Sequence, residues 1–448
     1  MAQLRFDRRM SDQEAVMWAL EEDPVLRSTF ANVTFLDATP DLDRFRDRMR
    51  MAIGAFPRLR QRVVGSPGIA NPEWVEDPFF DLDFHVRHVG APAPGDDRTV
   101  LDLAAVISLD PFDRSRPLWQ FTLVTGLPGG RAAMVQKLHH TITDGEGGIR
   151  LSAMFLDVAR DATEPMTGVP EPVPVEEPSS AGPADAVRDM VRRPIGLAGG
   201  AIDALRTSPL ETVRSVLRQV AVTEPAYSPL WTERSLRRHL DVLSISLEQA
   251  KAAAGKLGGT VNDLFVTGAA GAAGAYHRAK GAPVDELRMA MPVSTRTEKG
   301  AGGNAFTPTR MLVPVGIEDP ELRFAAVREV LGRTKGEKAV GLVSSVAGVL
   351  APLPAQVLTR FARQQVGTVD FTTSNVRGAP FDLFIAGAKI EGNYPIGPMA
   401  GTAFNLTTLS YAGKLDMGCV CDAAAIDDPD LLMSCLRSSY DELLAFAP

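Results

Sequence analysis

The stretch FTLVTGLPGGRAAMVQKLHHTITDGEGG, Phe121–Gly148, carries the most informative pattern in this chain. Two apolar runs flank the turn LPGG, which predicts a β-hairpin. The second run ends at adjacent histidines, His139 and His140, and Asp144 follows four residues later. Because side chains alternate across a strand, we expect the two histidines to point in opposite directions, one toward a cavity and one into the fold.

Length and composition limit the possible classes of protein. The chain has 448 residues, 45% of them hydrophobic and 23% charged, which predicts a globular protein of two domains. A net charge of −8 argues against a nucleic-acid partner. The N-terminus lacks the apolar core of a signal peptide, and no run of 18 apolar residues occurs, so we expect a cytoplasmic protein. Peripheral contact with the inner membrane or with lipid droplets remains open.

The three cysteines, Cys419, Cys421 and Cys435, are consistent with a reducing compartment. Cys419 and Cys421 share one face of a predicted strand, and no second ligand pair is visible nearby. Burial therefore explains them better than metal binding, and we predict no metal site.

The pattern of helices and strands divides the chain into three parts. Residues 1–163 are a predicted α/β domain, residues 164–239 a proline-rich and helical linker, and residues 240–448 a second α/β domain. Arginines line one side of the linker helices, which either lie on a lipid surface or pack against the two domains. A site between the two domains is the expected arrangement.

Individual segments give more specific expectations. In the first domain we predict a helix over Asp41–Pro57, a strand over Asp83–Val89 and a helix over Gly148–Asp161. In the second domain we predict a helix over Thr260–Lys280 and a strand over Asp382–Ile390.

The chemistry of the two histidines is open on residues alone. An imidazole is the natural general base near neutral pH, and Asp144 could hold it directly or brace the loop through an arginine. Gly145 allows the backbone to turn there. The serine-hydrolase pattern G-x-S-x-G and the zinc-protease pattern H-E-x-x-H are absent. Two interpretations remain: a base that activates the hydroxyl or amine of a substrate, or a buried structural pair.

A family resemblance narrows this choice. HHTITDG, His139–Gly145, resembles the HHxxxDG motif of CoA-dependent acyltransferases, which resemble chloramphenicol acetyltransferase in fold. The resemblance implies an α/β fold of two such domains, with mixed sheets flanked by helices and joined by a long linker. Peptide-synthetase condensation domains share the motif, so the motif by itself indicates only the superfamily.

Further segments resemble the wax ester synthase/diacylglycerol acyltransferase family in particular. They occur in order along most of the chain and include PLW (Pro117–Trp119), VNDLFV (Val261–Val266), MPVSTR (Met291–Arg296), SNVRGAP (Ser374–Pro380) and NLTTLSYAGKLDMG (Asn405–Gly418). The chain departs from the family at Arg377, where a proline is usual, which could alter the mouth of the pocket or the choice of acyl chain.

The resemblance implies an O-acyltransferase that moves a long-chain acyl group from acyl-CoA to diacylglycerol, a fatty alcohol or both. The catalytic motif comprises His140 as general base, His139 as support, Asp144 in a structural role, and Gly145. Arg296 is the candidate partner of Asp144. No cofactor is expected beyond acyl-CoA as co-substrate, and the chain could act as a monomer or a dimer.

Other family positions have two interpretations each. Asn375 is either a hydrogen-bond donor to the developing oxyanion or a turn-forming residue, and Ser374 and Asn262 are candidate substrate-binding residues. Asp263 follows Thr260 by three residues, which favours a helix cap. Trp119 is expected to pack in the core beneath the hairpin.

Two other functions remain open from the sequence. One is a condensation-type transferase that takes acyl groups from a carrier protein. The other is a non-catalytic lipid-droplet binding protein that has kept the fold.

Overall fold

The described part of the chain forms two mixed six-stranded sheets and one small two-stranded sheet, flanked by helices, which confirms the predicted fold class. A computed structural model describes residues 6–66, 70–167, 224–294, 306–336, 350–351 and 353–448. The arginine-lined linker helices predicted within residues 186–220 therefore lie outside the described residues.

The helices are α1 (Asp12–Leu20), α2 (Leu42–Ala55), α3 (Leu82–His85), α4 (Asp97–Leu109), α5 (Gly145–Ser152), α6 (Leu247–Lys256), α7 (Val261–Ala279), α8 (Pro320–Gly336), α9 (Ala355–Val366) and α10 (Pro429–Leu444). The strands are β1 (Thr29–Leu36), β2 (Gln61–Val64), β3 (Glu73–Glu76), β4 (Val86–Gly90), β5 (Trp119–Thr125), β6 (Ala132–His139), β7 (Arg238–Ser246), β8 (Glu286–Ser294), β9 (Phe306–Pro314), β10 (Phe371–Arg377), β11 (Phe384–Ile385), β12 (Ala388–Ile396), β13 (Phe404–Tyr411) and β14 (Lys414–Asp422). No helix among these has both the length and the apolar character needed to cross a bilayer.

The first sheet has the order β11-β12-β1-β6-β5-β4, and the second has the order β7-β14-β13-β10-β8-β9. The predicted hairpin is the antiparallel pair β5 and β6. Strands β11 and β12 come from the C-terminal half of the chain but pair within the N-terminal sheet. The division into domains at residues 163 and 240 stays a prediction. The first sheet contains strands from both halves of the chain, so the sheets do not follow this division.

The two sheets approach each other closely at β12 and β14. A Cβ on Gly418 would lie 2.2 Å from the carbonyl oxygen of Pro395, so only glycine permits this contact. Beside it, the buried carboxylate of Asp416 accepts hydrogen bonds from Ser244 Oγ at 2.7 Å and from Asn393 N at 2.8 Å. These contacts hold the sheets at a fixed spacing and leave room for a cavity further along.

Several predicted elements are confirmed with small shifts. The helix expected over Asp41–Pro57 is α2, and the Asp41 side chain caps it by accepting the N–H groups of Asp43 and Arg44. The helix expected over Thr260–Lys280 is α7.

The strand predicted over Asp83–Val89 is wrong in its first half. The Asp81 side chain accepts the N–H of Asp83 and starts the short helix α3, so β4 begins only at Val86. A local side-chain cap overrides the alternating pattern here.

The helix predicted over Gly148–Asp161 is also wrong in extent. Helix α5 begins three residues earlier and ends at Ser152. The chain then turns so that Asp157 pairs with the backbone of Phe384 and its buried carboxylate accepts charged hydrogen bonds from Arg44 and Arg48. A buried carboxylate needs such partners, and a continuing helix would not bring it to them.

The strand predicted over Asp382–Ile390 is instead a tight hairpin. Ala386 and Gly387 adopt left-handed φ values of 45° and 93°, so the chain reverses between β11 and β12. Strand β12 then continues to Ile396, and its second half was not predicted.

Candidate active site

Strand β6 separates the two histidines as the alternation predicts. His139 is the last residue of the strand and its side chain is fully buried. Its ring nitrogens contact Glu21 Oε2 at 2.8 Å and Thr141 Oγ1 at 2.7 Å. His139 therefore faces the fold.

His140 follows the strand and faces the opposite side. Its backbone N–H donates to the carbonyl oxygen of Ser28 at 3.0 Å, and its half-buried ring lies 4.6 Å from the ring of Phe30, centroid to centroid. The ring lines a cavity of about 500 Å³. A volume of this size accommodates a small-molecule substrate.

Asp144 ends the loop and starts helix α5. Its Oδ1 accepts the N–H of Gly147 at 2.8 Å, which is an N-terminal cap. A Cβ on Gly147 would lie 2.0 Å from Thr143 Oγ1, so this turn requires glycine. Asp144 thus caps the N-terminus of α5, and the first turn of this helix borders the cavity. This contact is consistent with the structural role expected for Asp144.

The cavity lies between the facing surfaces of the two sheets, with α5 along one side. Among the described residues that line it, Arg27 and Asp144 are the charged ones. The lining changes in character along the second sheet. Ser374 lies opposite Thr407, and two residues further along the same strands Val376 lies opposite Leu409.

The apolar section of the cavity is part of the main N-terminal core. Its lining side chains include Phe121, Leu138, Leu151, Leu156, Met166, Leu383, Ile390 and Tyr411. Tyr411 accepts a hydrogen bond from Leu383 N at 2.8 Å and donates to the carbonyl oxygen of Ile390 at 3.2 Å, while burial raises its pKa to about 12. The hydroxyl is thereby satisfied and neutral, and this section suits hydrocarbon.

A second lining section is polar but uncharged. On the first sheet Asn32 lies opposite Gln136, and Thr34 lies opposite Asn393. Asn32 donates to Thr34 Oγ1 at 2.9 Å and to Asn393 Oδ1 at 2.5 Å. This section suits a neutral polar group rather than an ion.

The structure also brings together two asparagines from distant segments. Asn375, near the end of β10, donates its side-chain N–H to Asn262 Oδ1 at 3.2 Å, at the start of α7. Asn375 and Ser374 line the cavity. The neighbouring Asp263 forms a reciprocal cap with Thr260, because each side chain accepts the other's backbone N–H.

The remaining predicted positions lie away from the reacting centre or outside the described residues. Trp119 is buried beneath the hairpin, and its indole N–H donates to the carbonyl oxygen of Leu59 at 2.8 Å. Arg377 is the exposed last residue of β10, next to the cavity-lining Val376 and Gly378. Arg296, the candidate partner of Asp144, lies outside the described residues.

One group of side chains in the described ranges could approach a metal ion. Ligand atoms of His239 and Asp241 on strand β7 and of Asp430 in the first turn of α10 lie within 4.8 Å of one another. Arg98 already contacts Asp241 at 3.2 Å, which places a positive charge beside the group. The cavity-lining residues include none of these three.

Comparison with known proteins now identifies the family. Residues 10–265 match the wax ester synthase/diacylglycerol acyltransferase catalytic domain. The chain belongs to this family. Residues 302–444 match the C-terminal domain of the same family. The protein is therefore an acyltransferase, as the resemblance of the HHxxxDG segment predicted. The match to the catalytic domain argues against a purely non-catalytic lipid-binding protein.

Two Mycobacterium tuberculosis (strain ATCC 25618 / H37Rv) proteins that carry diacylglycerol O-acyltransferase names are relatives of this chain. One is 38% identical, and the alignment covers 100% of this chain and 94% of the relative. The other is 30% identical, with 86% of each chain covered.

Solved structures show the same fold. The wax ester synthase/diacylglycerol acyltransferase from Marinobacter aquaeolei VT8 matches with a TM-score of 0.68 at 20% identity, covering 98% of this chain and 99% of the other. The first condensation domain of the calcium-dependent antibiotic synthetase matches with a TM-score of 0.58 at 16% identity, covering 100% of this chain and 98% of the other. The chain therefore shares its overall fold with both proteins.

Sequence reasoning missed two contributors to the site. Glu21 contacts His139 from a position 118 residues away, and no local pattern signals that pairing. The wall from Asn393 to Pro398 was missed because the hairpin before it was interpreted as a single strand. The signal available in the sequence was Gly387, which favours the left-handed turn seen at Ala386 and Gly387.

Proposed function

We propose that this protein transfers a long-chain acyl group from acyl-CoA to the hydroxyl of a lipid alcohol, diacylglycerol or a fatty alcohol, with His140 as general base. The products are triacylglycerol or a wax ester and free CoA. The observation that carries the proposal is the position of His140, whose imidazole borders a cavity with both an apolar and a neutral polar section.

The reaction needs one proton acceptor and two bound substrates. The imidazole of His140 takes the proton of the alcohol as its oxygen forms a bond to the thioester carbonyl carbon. The tetrahedral intermediate collapses, the carbon–sulfur bond breaks, and the thiolate leaves with the proton that the imidazolium returns. A positioned base of this kind contributes about 10²–10⁴-fold, and holding both substrates together adds to this.

The surrounding residues support particular parts of this reaction. An asparagine amide nitrogen carries two hydrogens, so the bond from Asn375 to Asn262 leaves one N–H that can donate to the developing oxyanion. The apolar section around Leu151, Leu156 and Ile390 suits the acyl chain. A thioester is already activated, so we infer that no metal or redox cofactor takes part.

The test is ester formation by the purified protein. Palmitoyl-CoA is supplied with diolein or with hexadecanol, and CoA release and ester product are both measured. His140→Ala should lower the rate by about 10²-fold or more. The exposed His88 provides the matched control, because His88→Ala should leave the rate unchanged. Activity should also survive EDTA.

Three outcomes would contradict the proposal. Ester formation only from acyl groups on a carrier protein would indicate a condensation-type donor instead. Full activity of folded His140→Ala would show that His140 is not the general base. Absence of product with every donor and acceptor would overturn the proposed reaction.

A further inference from the structure

The carboxylate of Glu21 lies at the centre of a buried hydrogen-bond network on the side of β6 opposite the cavity. Glu21 directly follows α1 and is 5% exposed. Its Oε2 accepts from Ser28 N at 2.9 Å and contacts His139 Nε2 at 2.8 Å, and its Oε1 accepts from Thr29 Oγ1 at 3.2 Å. One carboxylate therefore joins the end of β6 to the start of β1.

The hydrogen bonds determine which nitrogen of His139 carries the proton. Thr141 N donates to His139 Nδ1 at 3.2 Å, so Nδ1 is an acceptor. A neutral imidazole then carries its hydrogen on Nε2, which donates to Glu21. Burial raises the pKa of the Glu21 carboxyl, but the hydrogen bonds from His139, Ser28 and Thr29 outweigh burial, and the pKa lies below its usual value. Glu21 is therefore ionised.

The same network reaches His140 through the backbone. Ser28 donates its backbone N–H to the Glu21 carboxylate, and its carbonyl oxygen accepts the N–H of His140 at 3.0 Å. His139 lies on the other side of the His139–His140 peptide bond, and the contact between its ring and the Glu21 carboxylate holds it in place. Glu21 thus fixes both sides of the peptide bond that joins His139 to His140, without entering the cavity.

We infer that Glu21 is a positioning residue for His140, acting through the length and hydrogen-bond geometry of its side chain on Ser28 and His139. This inference rests on the proposed function. A misplacement of about 1 Å in a reacting group can cost about 10²-fold in rate, so a carboxylate that fixes the peptide bond directly before the base matters for turnover.

Two conservative variants separate geometry from charge. Glu21→Gln keeps the side-chain length and one oxygen that can accept from both Ser28 and His139. Glu21→Asp keeps the charge but withdraws the oxygens by one methylene. Positioning predicts that kcat for ester formation stays within about threefold of wild type in Glu21→Gln and falls by about tenfold or more in Glu21→Asp, with KM little changed in both.

Glu14 supplies a matched control for stability. It is a buried carboxylate within α1, 5% exposed like Glu21, and its Oε2 accepts from Ser11 N at 2.9 Å in the helix cap. Glu14→Asp should lower the melting temperature and leave kcat unchanged when rates are measured well below the lowest melting temperature. Each variant is assayed as the full chain.

The results distinguish the competing explanations. If Glu21→Asp retains wild-type kcat, or if Glu21→Gln loses more activity than Glu21→Asp, the positioning role is wrong. If Glu14→Asp lowers kcat as much as Glu21→Asp, the effect is general destabilisation and the inference also fails. A wild-type protein that forms no ester would instead defeat the proposed function and this inference with it.

Discussion

Gly145 and Val376 touch across the two halves of the chain. A Cβ added to Gly145 would lie 3.2 Å from Cγ2 of Val376, closer than two such carbons normally approach. Gly145 is the first residue of α5, and Val376 lines the cavity between Asn375 and Gly378. The helix that starts at the last residue of the HHxxxDG segment is therefore packed directly on the strand that carries the candidate oxyanion donor.

Gly145→Ala should disturb this contact. The added methyl group requires the Val376 side chain to shift by a few tenths of an ångström, and overpacking of this kind costs about 1–3 kcal/mol. Gly148→Ala is the control in the same helix, because its Cβ would meet only Thr143 Cγ2 at 4.0 Å. We expect Gly145→Ala to lower the melting temperature and the rate of ester formation. Gly148→Ala should raise stability by up to about 1 kcal/mol. Equal melting temperatures for the two variants would contradict the tight packing.

The hydrogen bond between Asn375 and Asn262 should make the two residues act together. We expect each single alanine variant to lower kcat, and the double variant to lose less than the product of the two losses, because both disrupt one unit. The coupling free energy should be about 0.5–1.5 kcal/mol. A double-mutant cycle on kcat/KM measures it. Independent, multiplicative losses would show that Asn262 does not orient Asn375.

The sequence predicts the architecture well where a long period repeats. The 19-residue helix α7 and the hairpin of β5 and β6 have such patterns and formed as predicted. Short elements with a local cap or turn did not, as α3 and the turn at Ala386 show. Here one side-chain hydrogen bond or one left-handed residue outweighs the hydrophobic pattern.

The site is predictable only as far as its motifs are local. His139 and His140 are adjacent in the sequence, so strand alternation alone predicts that their side chains point to opposite sides. The contacts of Glu21 with His139, Asn375 with Asn262 and Gly145 with Val376 join residues more than 100 positions apart. No periodicity carries that information, because such pairings arise from tertiary packing between elements that are distant in sequence.

Ala153 should control the length of the acyl chain. It lines the cavity directly after α5, near the apolar side chains of Leu151 and Leu156, and is 7% exposed. Ala153→Phe fills space there, so the variant should favour octanoyl-CoA over palmitoyl-CoA relative to wild type. The ratio of kcat/KM for the two donors is the measurement, and the shorter donor is the internal control. An unchanged ratio would place the acyl chain elsewhere in the cavity.

His85 should make the folded protein sensitive to mild acid. It is fully buried against Trp119, with ring centroids 4.6 Å apart, and its Nδ1 lies 2.7 Å from the Trp119 carbonyl oxygen. Burial lowers the pKa of His85 to about 4, against about 6.5 in an unfolded chain. Between these pH values the unfolded chain binds a proton that the folded protein does not, so stability falls as pH falls from about 6.5 toward about 4.

The loss attributable to His85 should approach about 3 kcal/mol at the lower end of that range. Denaturant unfolding of wild type and His85→Asn at a series of pH values measures it, since asparagine can still donate to Trp119 but does not titrate. The difference in unfolding free energy between the two proteins should shrink as pH falls. His88→Asn, at an exposed histidine on β4, should keep the wild-type slope. A pH-independent difference for His85→Asn would mean that His85 binds its proton equally well in the folded and unfolded states, and that burial does not lower its pKa.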